Sequence, residues 1–409
     1  MYLELPYFAV KKESSFIFEN NKLKMRSFSI LLFFFFFKYE IQSKFISAEF
    51  TNKLSAYHMP IYFGTPPKKL NLDIDMAIDY TWTTSFLYPQ NSKTQQFHPS
   101  EDILSFSNKR TIQPDRVTDK AQIVNLDSNN NITIDFLFYY LKYKMSLDYE
   151  AIGLAYKFHD QSLSLIHNLY TNDYIDKLAF GFVTENDRGG LIFCGGLPEN
   201  VTENKIMTKF KVDDRKNTWG LKLSRVGNYI NSAYAYLNCG LELILAPYDF
   251  FNYLENDYLK DYLDNKTCSR EIDQSIIDYK RVYYRCNCEN IKFFPSINFI
   301  FDGKTFELKN SELFDDSYNS CDFVIQHKTI NPDEWVFGAH FIKNYITLFD
   351  YEDNSISFFT KEPLKKEYYY QLTLSIKLVI IAMIGTTFLL VGMKMKEENK
   401  NKKVYYIDL

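Results

Sequence analysis

Three acidic side chains crowd the segment Leu72-Asp73-Ile74-Asp75-Met76-Ala77-Ile78-Asp79, and a fourth, Glu242, follows Asn238-Cys239-Gly240-Leu241 much later in the chain. Two carboxylates held a few ångströms apart cannot both ionise. They share a proton, so one can act as base on an attacking water while the other acts as acid. Asp73 and Asp75 have the spacing of a strand, which turns both to one side. A plainer reading of Asp73, Asp79 and Glu242 is as solvated or hydrogen-bonded loop carboxylates, and it is preferred to a pairing of Asp75 with Glu242. Asp75 alone also suits a turn residue that accepts backbone N–H groups. The other reactive set is the six cysteines. Cys268, Cys286, Cys288 and Cys321 lie close together in sequence, while Cys194 and Cys239 are isolated and read as buried free thiols. Cys286-x-Cys288 lacks the C-x(2–4)-C spacing of a zinc site, so disulfides are expected, with three pairings open. No metal or cofactor is implied.

The elements that must position these residues are strands. Short β-rich runs recur at 61–63, 132–138, 191–194, 297–301 and 345–349, separated by Gly64-Thr65-Pro66-Pro67, Asp302-Gly303 and Glu352-Asp353-Asn354. That is the pattern of a mostly β protein. Helices are expected to be few, foremost at 160–172 and 246–259, the second opening with Pro247 at its first helical position. No fixed-period repeat or long linker is present.

Composition agrees with a globular protein: of 409 residues 46% are hydrophobic, and 47 basic residues nearly balance 51 acidic ones. Disorder is thereby excluded, and a net charge of -4 offers no footprint for nucleic acid. Residues 28–37, FSILLFFFFF, follow Lys22, Lys24 and Arg26, the layout of a signal peptide too short to span a bilayer. Translation from Met25 would make that signal conventional, and cleavage is expected between residues 42 and 50. Residues 372–393 are long enough as a helix, at roughly 33 Å, to cross a membrane. Tyr368, Tyr369 and Tyr370 form an aromatic belt before this segment, and five lysines follow it. The expected protein is therefore a single-pass type I membrane protein of the secretory pathway, at the cell surface or a vacuolar or endosomal membrane. Its tail, 394–409, would be cytosolic. Sequons at Asn131, Asn200 and Asn265 fit a glycoprotein, and the oxidising compartment fits the disulfides.

Residues 57–85, YHMPIYFGTPPKKLNLDIDMAIDYTWTTS, resemble the N-terminal lobe of pepsin-like aspartic proteases. Gly64-Thr65-Pro66-Pro67 is intact, Asp75 falls at the first catalytic aspartate, and Trp82 stands seven residues on, as in the family. Residues 150–156, EAIGLAY, are similar to the family's G-I-L-G-L-A-Y strand, and 180–182 with 189–196 resemble the strand pair ending in Gly-Gly. In the second half, Asn238-Cys239-Gly240-Leu241-Glu242 with Pro247 matches the frame of the second Asp-Thr-Gly-Thr-Ser turn. Residues 335–359 resemble the closing strands, with Val336-Phe337-Gly338 as the element crossing beneath that turn. Across about 54–362 the resemblance implies a bilobal pepsin-like acid-protease fold, with lobes at 50–205 and 206–362 after an extension and signal at 1–48. It also implies a Cys288–Cys321 bridge, leaving Cys268 with Cys286.

The chemistry implied by the resemblance is endopeptidase chemistry, and the residues depart from it. Asn238 stands at the second aspartate, and an amide neither gives nor takes a proton in the working range. Met76 and Cys239 replace the two threonines that cross-bond the turns, and Ala77 replaces the first-turn glycine. The flap hairpin is expected around 105–115 without its tyrosine or glycines. The expected function is a membrane-anchored family member impaired in catalysis, a monomer that binds a peptide or protein in the interlobe cleft. Met76, Ala77, Cys239 and Gly240 are candidates for the cleft floor. An active aspartic endopeptidase and a structural surface glycoprotein are the alternatives.

Overall fold

A computed structural model describes residues 44–53, 56–84, 88, 91–105, 111–128, 130–142, 150–186, 189–273, 280–315, 321–328, 334–362 and 364. The apolar segments 28–37 and 372–393 and the tail 394–409 lie outside the described residues. Among the described residues, no helix is long and apolar enough to cross a membrane.

Alternating apolar residues build the strands, as expected. In Lys68–Asp75 the buried Leu70, Leu72 and Ile74 take one face and leave Asp73 and Asp75 on the other. In Asp115–Asn125, Val117, Ala121 and Ile123 are likewise buried. All five expected β-rich runs lie in strands, except that the last begins at Ile346 rather than Tyr345. The Asp302-Gly303 turn joins Ile297–Phe301 to Lys304–Leu308 with φ of 44° and 74°. Positive φ at both positions matches the right-handed twist of the flanking strands.

Among the described residues the strands form two large sheets. The thirteen-stranded one runs in the order Ile206–Lys211, Ser355–Thr360, Ile346–Asp350, Ala179–Asn186, Gly189–Cys194, Ile46–Lys53, Ala56–Phe63, Lys68–Asp75, Ala151–Gly153, Trp82–Thr84, Asn130–Leu141, Asp115–Asn125 and Gln96–His98. An added pairing of Ala56–Phe63 with Asp115–Asn125 closes six of these strands into a barrel-like lobe. The eleven-stranded sheet is built from Gly220–Val226 to Trp335–Phe337.

Both sheets contain the same wiring. Lys68–Asp75 pairs parallel with Ala151–Gly153, which pairs antiparallel with Trp82–Thr84, itself parallel to Asn130–Leu141. Tyr229–Leu237 pairs parallel with Trp335–Phe337, which pairs antiparallel with Ile244–Leu245, itself parallel to Ile325–Lys328. Each half thus carries a strand, a sharp turn, and a later strand threaded back beside the first.

Three expectations change. The folded unit begins before residue 50: Ile46–Lys53 pairs with Gly189–Cys194, and Ile46, Ala48 and Phe50 are buried. Strands Ile206–Lys211, Ile346–Asp350 and Ser355–Thr360, taken with the second lobe, join the first sheet, because Ile346–Asp350 pairs with Ala179–Asn186 and the other two extend it to the edge. The helices differ from expectation: the first is shorter, while the second, Tyr248–Tyr253, continues through the π-helical turn Leu254–Tyr258 into Lys260–Asp264. Gln161–Leu163 is a 3-10 turn, followed by the helix Leu165–Thr171, with Ser164 capping its N-terminus. Pro247 is the N-cap, with extended ψ of 155°, so the helix starts one residue later at Tyr248. The disulfides are Cys268–Cys286 and Cys288–Cys321, and Cys194 and Cys239 are buried free thiols.

Candidate active site

Each half delivers one side chain to the site through a turn that the threaded strand locks. Gly153 lies in register with Asp75, Leu154 N–H donates to the Asp75 carbonyl at 2.9 Å, and Ala155 N–H donates to the Ile78 carbonyl at 3.0 Å. A Cβ on Gly153 would lie 2.5 Å from the Tyr80 carbonyl oxygen, so only glycine fits. In the other half Leu237 lies in register with Phe337, whose carbonyl accepts the Asn238 N–H at 3.0 Å. Gly338, Ala339 and His340 then donate their N–H groups to the carbonyls of Leu243, Leu241 and Glu242 at 3.1, 2.6 and 2.7 Å.

The two turns meet face to face. Asn238 Nδ2 donates to Asp75 Oδ1 at 3.0 Å, and the same oxygen accepts the Ala77 N–H at 2.9 Å. Asn238 Oδ1 accepts the N–H groups of Met76 and Gly240, both at 2.9 Å. Two backbone donors fix which end of the amide is oxygen, and the nitrogen is left to face the carboxylate. Gly240 permits this closeness: a Cβ there would stand 3.1 Å from the Ile74 carbonyl oxygen and 3.2 Å from Asp75 Cα.

The candidate floor residues take different roles. Met76 buries its side chain in the main core and reaches the site only through its N–H. Ala77 and Leu241 pack against Tyr234, Tyr236, Leu245 and Val336. Cys239 is buried, and its thiol donates to the Ile74 carbonyl at 3.4 Å, so a cross-turn bond survives without a threonine hydroxyl. The Cys239 carbonyl in turn accepts the Tyr57 N–H at 3.2 Å.

Burial pushes the Asp75 carboxyl above the usual range, the Ala77 N–H and Asn238 amide pull it back, and the charge of Asp73 adds to the rise. Asp73 pairs with His58 Nε2 at 2.7 Å, and Asp79 bonds the exposed His159. Glu242 stays half-exposed in its turn. A hairpin of Leu104–Ser105 with Thr111–Ile112 occupies the place expected for the flap, its tip outside the described residues. Asp102 at its base is held by Tyr139 Oη at 2.7 Å and Arg116 Nη2 at 2.8 Å, while Leu104 packs with Trp82, Tyr139 and Leu163. Among the described residues, no group of three or more His, Cys, Asp or Glu is placed to hold a metal.

Sequence reasoning missed Tyr236 and the Arg116–Asp102–Tyr139 clasp. Tyr236 was readable: it stands two residues before Asn238, near the end of the strand Tyr229–Leu237 that leads into the turn. The clasp joins residues far apart in sequence and left no local signal.

Residues 56–361 match the sequence profile of eukaryotic aspartyl proteases. The chain belongs to the eukaryotic aspartyl protease family. Gastricsin from Callithrix jacchus is 19% identical over 355 residues, covering 79% of this chain and 86% of gastricsin. Pepsin B from Canis lupus familiaris is 22% identical, covering 76% of this chain and 82% of pepsin B. The crystal structure of the aspartic proteinase from Irpex lacteus superposes with a TM-score of 0.61 at 14% identity. It covers 80% of this chain and 99% of that one. The fold is that of the pepsin-like aspartic proteinases. In this aspartyl protease homologue, the facing turns bring the Asp75 carboxyl against the Asn238 amide.

Proposed function

We propose that this aspartyl protease homologue binds an extended peptide or protein segment between its two halves without hydrolysing it. The observation that carries the reading is the 3.0 Å contact between the Asp75 carboxyl and the Asn238 amide. Hydrolysis by this family needs a proton shared between two acids, and an amide bonded by two backbone N–H groups cannot supply or receive it. General acid–base assistance of about 10²–10⁴-fold is thereby lost. Binding does not need the shared proton. The facing turns, with Ala77 and Leu241 partly exposed over buried Tyr234 and Tyr236, and the paired strands Leu104–Ser105 and Thr111–Ile112 remain to receive a chain.

The protein acts as a monomeric type I membrane glycoprotein of the secretory pathway, anchored by residues 372–393, with residues 394–409 in the cytosol. Two disulfides and the exposure of Asn131, Asn200 and Asn265 support that setting. Retention of the strand Ile46–Lys53 favours signal cleavage ahead of Ile46. The test is to incubate the membrane-extracted protein with a denatured-protein digest across acidic and neutral pH, then analyse captured and released peptides by mass spectrometry. Captured peptides of unchanged length are expected. New termini that disappear in Asp75→Ala would establish an active protease instead, and absence of any captured peptide would leave a scaffold glycoprotein.

A further inference from the structure

The bonding around Asn238 that disables peptide hydrolysis also fits a different reaction, hydrolysis of the Asn238 side chain itself. Its Oδ1 sits between the N–H groups of Met76 and Gly240, both at 2.9 Å. Two backbone donors on one carbonyl oxygen are what stabilise the negative charge of a tetrahedral intermediate. Its Nδ2, the group that must leave, is 3.0 Å from Asp75 Oδ1. Asp75, Ala77, Gly240 and Leu241 are only partly buried, so the two turns border solvent at this edge.

We infer that Asn238 is a self-deamidation site, at which Asp75 catalyses conversion of the Asn238 amide to aspartate and so completes a two-carboxylate centre. Asp75 takes a proton from water as the water oxygen bonds to Asn238 Cγ, and the carbonyl electron pair moves onto Oδ1. Collapse of that intermediate breaks the Cγ–Nδ2 bond, and the departing nitrogen takes the proton back from Asp75. One water is consumed and one ammonia released, with no redox change. The product is a carboxyl group where the amide stood, within hydrogen-bond reach of Asp75. The inference rests on the reading of Asn238 as the non-acidic partner of Asp75, and makes that state a precursor.

Asn125 provides an internal reference. It is buried, and its Oδ1 also accepts two backbone N–H groups, from Ser47 and Asp127, both at 3.3 Å, while among the described residues no carboxyl bonds its amide nitrogen. The full-length protein and its Asp75→Asn variant would be aged in heavy-oxygen water at mildly acidic pH and digested. Mass spectrometry then reads amide loss, label uptake and isomer at both positions. The inference predicts that Asn238 converts on the order of 10²-fold faster than Asn125, the scale of general acid–base assistance. It also predicts aspartate carrying one labelled oxygen, and a fall to the Asn125 rate in Asp75→Asn. Equal rates at the two positions would overturn it. So would a product rich in isoaspartate, the mark of attack by the next backbone nitrogen, or an undiminished rate in a folded Asp75→Asn variant. If that variant does not fold, the wild-type rate ratio and isomer decide alone. Cleavage of peptides by protein whose Asn238 amide is intact by mass would overturn the proposed function and is read separately.

Discussion

Substituting Gly338 by alanine tests whether the second turn is locked by its threaded strand. An added Cβ would lie 2.3 Å from the Leu243 carbonyl oxygen and 2.5 Å from that of Leu241. Non-bonded atoms settle near 3.5 Å, so one strand or the turn must shift by about 1 Å. All the obstructing atoms are backbone, and no side chain can swing aside. Overpacking of this kind costs about 1–3 kcal/mol. The shift also loosens the Gly338 N–H and Ala339 N–H bonds at 3.1 and 2.6 Å, each worth about 1 kcal/mol. The sum is about 3–5 kcal/mol, a large part of a total near 5–15 kcal/mol. Urea unfolding followed by tryptophan fluorescence reads it: with a slope of about 3 kcal/mol/M, the midpoint falls by at least about 1 M. Gly303→Ala is the control, because φ there is 74° and nothing lies within 4 Å of the new Cβ. It should cost only the left-handed backbone penalty of about 1–2 kcal/mol. A Gly338→Ala loss no greater than that of Gly303→Ala would refute the locked-turn reasoning.

Both ring nitrogens of His58 face acceptors, the Ala56 carbonyl at 2.9 Å and Asp73 at 2.7 Å. The bond to Asp73 raises its pKa above the ordinary 6.5. Its stabilisation is therefore full below about pH 6.5 and lost as pH rises through the folded-state value. Unfolding free energy measured against pH should show that fall in wild type and not in His58→Gln. Trp219 Nε1 donates to the Leu154 carbonyl at 2.7 Å, and the indole ring packs on Tyr156 and Tyr351. Trp219→Phe leaves the Leu154 carbonyl only the longer 3.5 Å bond from Tyr351 Oη and should cost about 1 kcal/mol by denaturant titration. Replacing Cys288 and Cys321 together by serine opens a link spanning 33 residues and should cost roughly 3–4 kcal/mol. The Cys268–Cys286 link, spanning 18, should cost slightly less.

Local patterns made much of the fold legible. Alternation in Leu70, Leu72 and Ile74 announced a strand with one buried face, and Asp302-Gly303 announced a turn between strands. The two positions that meet, Asp75 and Asn238, were readable because each follows an apolar strand and the motifs around them keep family spacing. Tertiary choices were not readable. Nothing local says that Ile206–Lys211 pairs beside the strand Ser355–Thr360, because both are strand-like in any sheet. Nor does sequence show that Met76 turns into the core while the Cys239 thiol reaches the Ile74 carbonyl. Those outcomes depend on how closely the two turns approach, and Gly240 sets that distance through atoms of the other half.

The most direct measurement is peptide-bond cleavage at acidic pH by three freshly prepared proteins: wild type with its Asn238 amide verified by mass, Asn238→Asp, and Asp75→Ala/Asn238→Asp. The account predicts new peptide termini only with Asn238→Asp, because that change alone places two carboxyl groups across the 3.0 Å contact. Cleavage by the amide-intact wild type would contradict it.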